Sequence, residues 1–286
     1  MVAWHVNMYR PGLTEASRSV LLEVLRILGS YKDQLVLIGG WAPYFILEKF
    51  GEADQHCGSI DIDLALDPRI ADLKVYDTIV SLIEKRGYEP YKTDDGRILP
   101  YRFYRSIRSP SDGQDYVIEV DFITEPHIAQ KMQPSAFLAV QRDLQAVIVR
   151  GSSIVFSHNF EHIIKGVLPS GAETSVTCKI ADLVGCITTK GLALKGRYKE
   201  KDPYDIYYLL RHYQGGLEKA AREARLYLKN PIVKEAIDEI KEKFKTAKSE
   251  GPFQAAYFLA PEDEQLRERI QGDVYIVLRT FIDNLA

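Results

Sequence analysis

The segment Ser59-Ile60-Asp61-Ile62-Asp63-Leu64 constrains this chain more than any other. Ser59, Asp61, Asp63 and Ala65 alternate with Ile60, Ile62, Leu64 and Leu66, which predicts a strand with one apolar face. Such a strand needs a sheet around it and a layer over its isoleucines. Aspartate is a poor strand former, and two on one face lie only about 7 Å apart along the strand. Like charges that close repel, and a divalent cation relieves them. Hard carboxylate oxygens suit magnesium, which takes one or two protein carboxylates together with substrate phosphates. Taken alone, the pair is also explained by a solvent-facing edge strand whose aspartates discourage aggregation.

A second segment, Val117-Ile118-Glu119-Val120-Asp121-Phe122-Ile123, alternates in the same way, with Glu119 and Asp121 on one face. Side by side, the two strands would bring three or four carboxylates together, a cluster hard to keep ionised without metal. Spacing leaves open whether Glu119 or Asp121 is the third ligand, with Asp121 preferred. Upstream, Leu35-Val36-Leu37-Ile38 reads as a short buried strand, and Gly39-Gly40 turn it into a helix starting at Trp41. Paired glycines let backbone approach a ligand closely, and a helix N-terminus presents N–H groups to an anion such as a triphosphate. A tight strand-to-helix turn explains the same glycines.

The order of these features, a glycine pair, Asp-x-Asp about twenty residues on, then a later acidic strand, resembles the nucleotidyltransferase superfamily that includes DNA polymerase β-like enzymes. Within it the chain most resembles AbiEii-type nucleotidyltransferases, toxins of type IV toxin–antitoxin systems, over roughly residues 34–213. Gly39-Gly40-Trp41-Ala42 also resembles small-molecule antibiotic nucleotidyltransferases. The resemblance implies that Gly39 and Gly40 contact nucleotide phosphates and that Asp61, Asp63 and Asp121 hold magnesium, as two ions. Many relatives carry a hydroxyl residue where this chain has Trp41, and an arginine before Asp-x-Asp where it has Cys57. Ser59 stands where relatives have threonine, and His56 or a distant basic residue is a candidate to replace the missing arginine. A second anchor runs from Ile187 to Leu210. There the resemblance implies that Lys190 contacts phosphate, that Asp205 is a late acidic residue of the cleft, and that Arg197, Lys199 and Lys201 line its entrance. Read without it, Lys190 is a solvated helix residue, Asp202 before Pro203 is a helix N-cap, and Asp205 complements the helix dipole.

The expected architecture is α+β: a nucleotidyltransferase-fold mixed β-sheet flanked by helices over residues 1–165, then a mainly helical region over 166–286. Helices are expected at Leu13–Leu28, with Thr14 as N-cap, at Trp41–Phe50 and at Ile70–Arg86. Further strands are expected at Tyr88–Tyr91 and Leu99–Ile107, and a hairpin of Val147–Arg150 with Ile154–Phe156 around Gly151. The 286 residues hold 37 Lys+Arg against 40 Asp+Glu, so the formal charge is −3, which excludes a polybasic coat or membrane-surface protein as the whole-chain identity. No apolar run approaches the ~20 residues of a membrane span, and Met1–Gly12 lacks a basic-then-apolar leader pattern. Three scattered cysteines fit a reducing cytoplasm rather than a disulfide framework. His158-Asn159-Phe160-Glu161-His162 matches an inverted zinc-protease pattern but lacks a third ligand, and two histidines on a short helix account for it.

The expected activity is magnesium-dependent transfer of NMP from an NTP to an acceptor hydroxyl with release of pyrophosphate. The acceptor implied by the resemblance is a macromolecule such as tRNA, with an antitoxin as partner. The alternatives are nucleotidylation of a small hydroxylated molecule and a nucleotide-binding regulator with little turnover.

Overall fold

The computed structural model describes residues 5–51, 56–72, 77–109, 111–125, 136–196 and 198–286. In chain order its main elements are α1 (Pro11–Ile27), β1 (Leu35–Ile38), α2 (Trp41–Lys49), β2 (Asp61–Leu66), α3 (Ile79–Glu84), β3 (Glu89–Lys92), β4 (Ile98–Arg108), β5 (Asp115–Thr124), β6 (Phe137–Ala139), β7 (Gln145–Ile148), β8 (Asn159–Val167) and β9 (Glu173–Ala181). The helices α4 (Leu183–Gly196), α5 (Lys201–Arg211), α6 (Gly216–Arg225), α7 (Pro231–Lys243), α8 (Glu250–Leu259) and α9 (Glu264–Asp283) complete the chain. It divides into a sheet unit, Arg10–Trp41 with Gly58–Ala181, and a helical unit, Met1–Tyr9 with Ala42–Cys57 and Asp182–Ala286.

The sheet unit is built on one mixed sheet of order β3-β4-β5-β2-β1-β9-β8, with β7 pairing β5 and β6. β2 runs antiparallel to β1 and parallel to β5. The apolar parity expected for β2 is the buried one: Ile62 and Leu64 are fully covered, as are Ile118, Val120 and Phe122 of β5. Removing each such side chain from water stabilises the fold by about 1.5–3 kcal/mol. α1 packs along β8, β9, β5, β2 and β4, and its Val20, Leu21, Leu22 and Val24 are fully buried. The opposite parity, carrying Asp61, Asp63, Glu119 and Asp121, is only half-buried. This alternation is the α+β arrangement that the acidic strands require.

Four local expectations change in the sheet unit. α1 begins at Pro11, a residue suited to the first helical turn; Thr14 is not its cap, and the Thr14 hydroxyl donates to the Arg10 carbonyl at 3.2 Å. The continuous helix expected over 70–86 is replaced by a 3-10 turn at Pro68–Asp72 and the short α3, capped by Thr78, whose Oγ1 accepts from Ser81 N–H at 3.2 Å; residues 73–76 between them lie outside the described residues. The hairpin around Gly151 is absent, because Gly151 sits at φ 82° and leads into a 3-10 turn, Ser152–Phe156, that buries Ile154 and Val155. His158 and His162 share no helix: Asn159–Val167 is a strand, where four residues span about 13 Å instead of one helical turn.

In the helical unit, α4 packs on α5 and α7, and α5 packs on α8 and α9. Gly191 permits the α4–α7 approach, since a Cβ there would meet the Ala236 carbonyl oxygen at 2.8 Å. Tyr204 of α5 and Phe258 of α8 lie ring against ring at 4.4 Å. α5 starts at Lys201 with Glu200 at its cap position and no side-chain capping bond, so Asp202 is not the cap. Among the described residues no helix is long and apolar enough to cross a membrane.

Candidate active site

Strand register decides where the acidic side chains stand. Asp61 pairs with Glu119 and Asp63 with Asp121 across the parallel β2–β5 ladder, and on the far side of β5 Arg102 pairs with Asp121 and Tyr104 with Glu119. Cross-strand partners share a face and lie about 5 Å apart, so one row reads Arg102, Asp121, Asp63 and the next Tyr104, Glu119, Asp61. The two acidic strands are therefore neighbours, as the carboxylate argument requires.

Gly39 stands beside the same row. Its φ is +67°, and a Cβ built on it would lie 1.9 Å from Asp63 Oδ2. Only a glycine leaves that space for the carboxylate. Trp41, where relatives carry a hydroxyl residue, is 1% exposed, and its indole N–H donates to Ser17 Oγ at 3.2 Å. It is a core residue of the sheet unit. Ser59 is fully buried, and its hydroxyl donates to Asp61 Oδ1 at 2.6 Å.

Arg102 is the residue that sequence reasoning missed. Its Nε and Nη2 each lie 2.6 Å from an oxygen of Asp121, and its Nη1 is 2.7 Å from Glu119 Oε2. Burial works against the guanidinium charge, but the hydrogen bonds and charges of Asp121 and Glu119 prevail and raise its pKa above the ordinary value. The Tyr91 ring flanks it at 5.4 Å and the Tyr101 ring at 5.9 Å. No short motif marks Arg102; only its parity with Tyr104 on an alternating strand could have drawn attention to it.

The helical unit holds a second charged cluster. Lys190 Nζ lies 2.9 Å from Asp202 Oδ1 and 2.6 Å from Asp205 Oδ2. Lys201 Nζ lies 2.7 Å from Asp205 Oδ1, and His56 Nε2 stands 3.0 Å from that same oxygen. Lys201, expected at a solvent entrance, is 2% exposed and sits 5.3 Å from the Tyr9 ring and 5.8 Å from that of Tyr204. Burial opposes the charge of Asp205, yet Lys190, Lys201 and His56 overcome it and lower its pKa. Burial also lowers His56 to about 4, against the raising influence of Asp205. His56 is thus neutral near pH 7 and cannot act as a cationic replacement for the missing arginine. Arg197 lies outside the described residues.

The donor set of the sheet unit suits a hard divalent cation: carboxylate oxygens on adjacent strands, beside a glycine whose missing side chain leaves room at Asp63. Among the described residues, no group of three His, Cys, Asp or Glu side chains stands ready-made to hold a metal ion; Asp121 and Glu119 are turned to Arg102.

The mixed sheet, with adjoining acidic strands beside a glycine turn, has the arrangement that the nucleotidyltransferase resemblance implied. The family model described as "Nucleotidyl transferase AbiEii toxin, Type IV TA system" matches residues 21–272, and the chain belongs to that family. Neither the curated proteins nor the solved structures gave a match.

Proposed function

We propose that this nucleotidyltransferase moves NMP from an NTP to an acceptor hydroxyl, with magnesium held at the acidic rows of the sheet unit. The observation that carries this reading is the register of Asp61 and Asp63 with Glu119 and Asp121, next to Gly39. Asp61 and Asp63 are the proposed principal metal ligands, and Asp121 is the third carboxylate of the face. Ser59 orients Asp61 through its hydrogen bond, while Gly39 and Gly40 offer backbone to phosphate oxygens. When bound, magnesium would supply charge neutralisation and alignment of the triphosphate. In the reaction the acceptor hydroxyl gives its proton to a carboxylate of the face, proposed as Asp121, its oxygen bonds to the α-phosphorus, the bond from that phosphorus to the bridging oxygen breaks, and pyrophosphate leaves with the electron pair. Positioning and electrostatic stabilisation account for most of the rate in such transfers.

In the helical unit, Lys190 is the proposed phosphate-contacting lysine, and Asp202 and Asp205 fix its ammonium in place. Membership of a type IV toxin–antitoxin family supports a macromolecular acceptor, proposed here as tRNA, and a neutralising antitoxin partner. The test incubates the protein and magnesium with each labelled NTP and either total tRNA or small hydroxylated compounds. Label on tRNA with release of pyrophosphate supports the proposal. Label on a small compound replaces the acceptor, and NTP binding without pyrophosphate release overturns the transferase reading.

A further inference from the structure

Within the reading of Asp61, Asp63 and Asp121 as a metal-binding face, we propose that Arg102 is a positioning residue that orients Asp121 and acts as a built-in counter-cation, lowering the affinity of the face for divalent metal. Three of its N–H donors are engaged by carboxylates, two on Asp121 and one on Glu119. A bidentate arginine pair fixes the plane of a carboxylate as well as neutralising it. Arg102 and its flanking tyrosines therefore determine which way the Asp121 oxygens point. The row pairing sets Asp63 directly beside Asp121, so the guanidinium charge is felt across the whole face. One positive charge among four carboxylates leaves the face attractive to a divalent cation, but less so than the bare carboxylates would be.

The test titrates manganese(II), a spectroscopic stand-in for magnesium, into nucleotide-free protein and follows the free ion by electron paramagnetic resonance. Arg102→Gln should bind manganese about tenfold more tightly, the change expected for about 1.4 kcal/mol of lost repulsion, while kcat for nucleotidyl transfer falls. Arg102→Lys keeps the charge but loses the two-pronged bond, so its manganese affinity should stay near the parent value while kcat still falls. The double variant Arg102→Gln/Glu119→Gln restores the charge balance and keeps the test open if Arg102→Gln folds poorly. It should return affinity toward the parent value without restoring kcat. Unchanged manganese affinity in Arg102→Gln, with binding abolished by Asp61→Asn, overturns the role of Arg102 and leaves the metal face standing. No manganese binding by parent or variants overturns both.

Discussion

Asp63 rests its carboxylate on the α-carbon of Gly39, so closely that a Cβ at position 39 would stand 1.9 Å from Oδ2. Gly39→Ala must therefore move Asp63 and also hold an alanine at φ +67°. We expect a loss of about 1–3 kcal/mol of stability and a fall in transfer activity. Denaturant unfolding and an NTP-transfer assay measure the two effects separately; an alanine variant matching the parent in both would remove Gly39 from the site.

Asp61→Asn and Asp63→Asn each remove one negative charge from a crowded face. Transfer should drop at least about a hundredfold in either variant, as loss of a metal-held transition state implies. The thermal midpoint should hold or rise, because like-charge repulsion is relieved. Full activity in both variants would discard the metal assignment.

Asp205 is the hub of the helical unit's charges, meeting Lys190, Lys201 and His56. Asp205→Ala takes from the buried Lys201 its Asp205 partner and leaves Lys190 with Asp202, and should cost about 3–5 kcal/mol. Lys190→Ala leaves Asp205 its contact with Lys201 and should cost less. Paired urea titrations give the order; an equal or reversed cost would show that the hub is elsewhere.

His56 gives the helical unit a pH dependence of its own. Its folded pKa is lowered from 6.5 to about 4 by burial, so between those values the unfolded chain binds a proton that the folded chain refuses. Stability should fall by about 2 kcal/mol from roughly pH 7 to roughly pH 5 through this group alone. His56→Gln should flatten that part of the stability curve, and an unchanged slope would rule His56 out as its source.

The acidic strands and the glycine turn were legible because a half-buried sheet imposes a period of two on its sequence, which β2 keeps from Asp61 to Leu64 and β5 from Ile118 to Phe122. Arg102 was not legible, since its meeting with Asp121, 19 positions away, depends on the register of β4 against β5. The lysines of the basic run resembled a solvated face. Lys201 is buried because Asp205 follows one helical turn later and offers it an internal partner. The Ser152–Phe156 turn escaped because short apolar runs carry no period of their own.

The central position of β1 has a consequence during synthesis. It joins β2 on one side and β9 on the other, with Val36 opposite Lys179. A nascent chain cannot close that second ladder until β9 has left the ribosome, and contacts so distant in sequence form slowly. Until then the growing polypeptide exposes a raw apolar border, Leu35 to Ile38, at which chaperones or neighbouring chains can intervene.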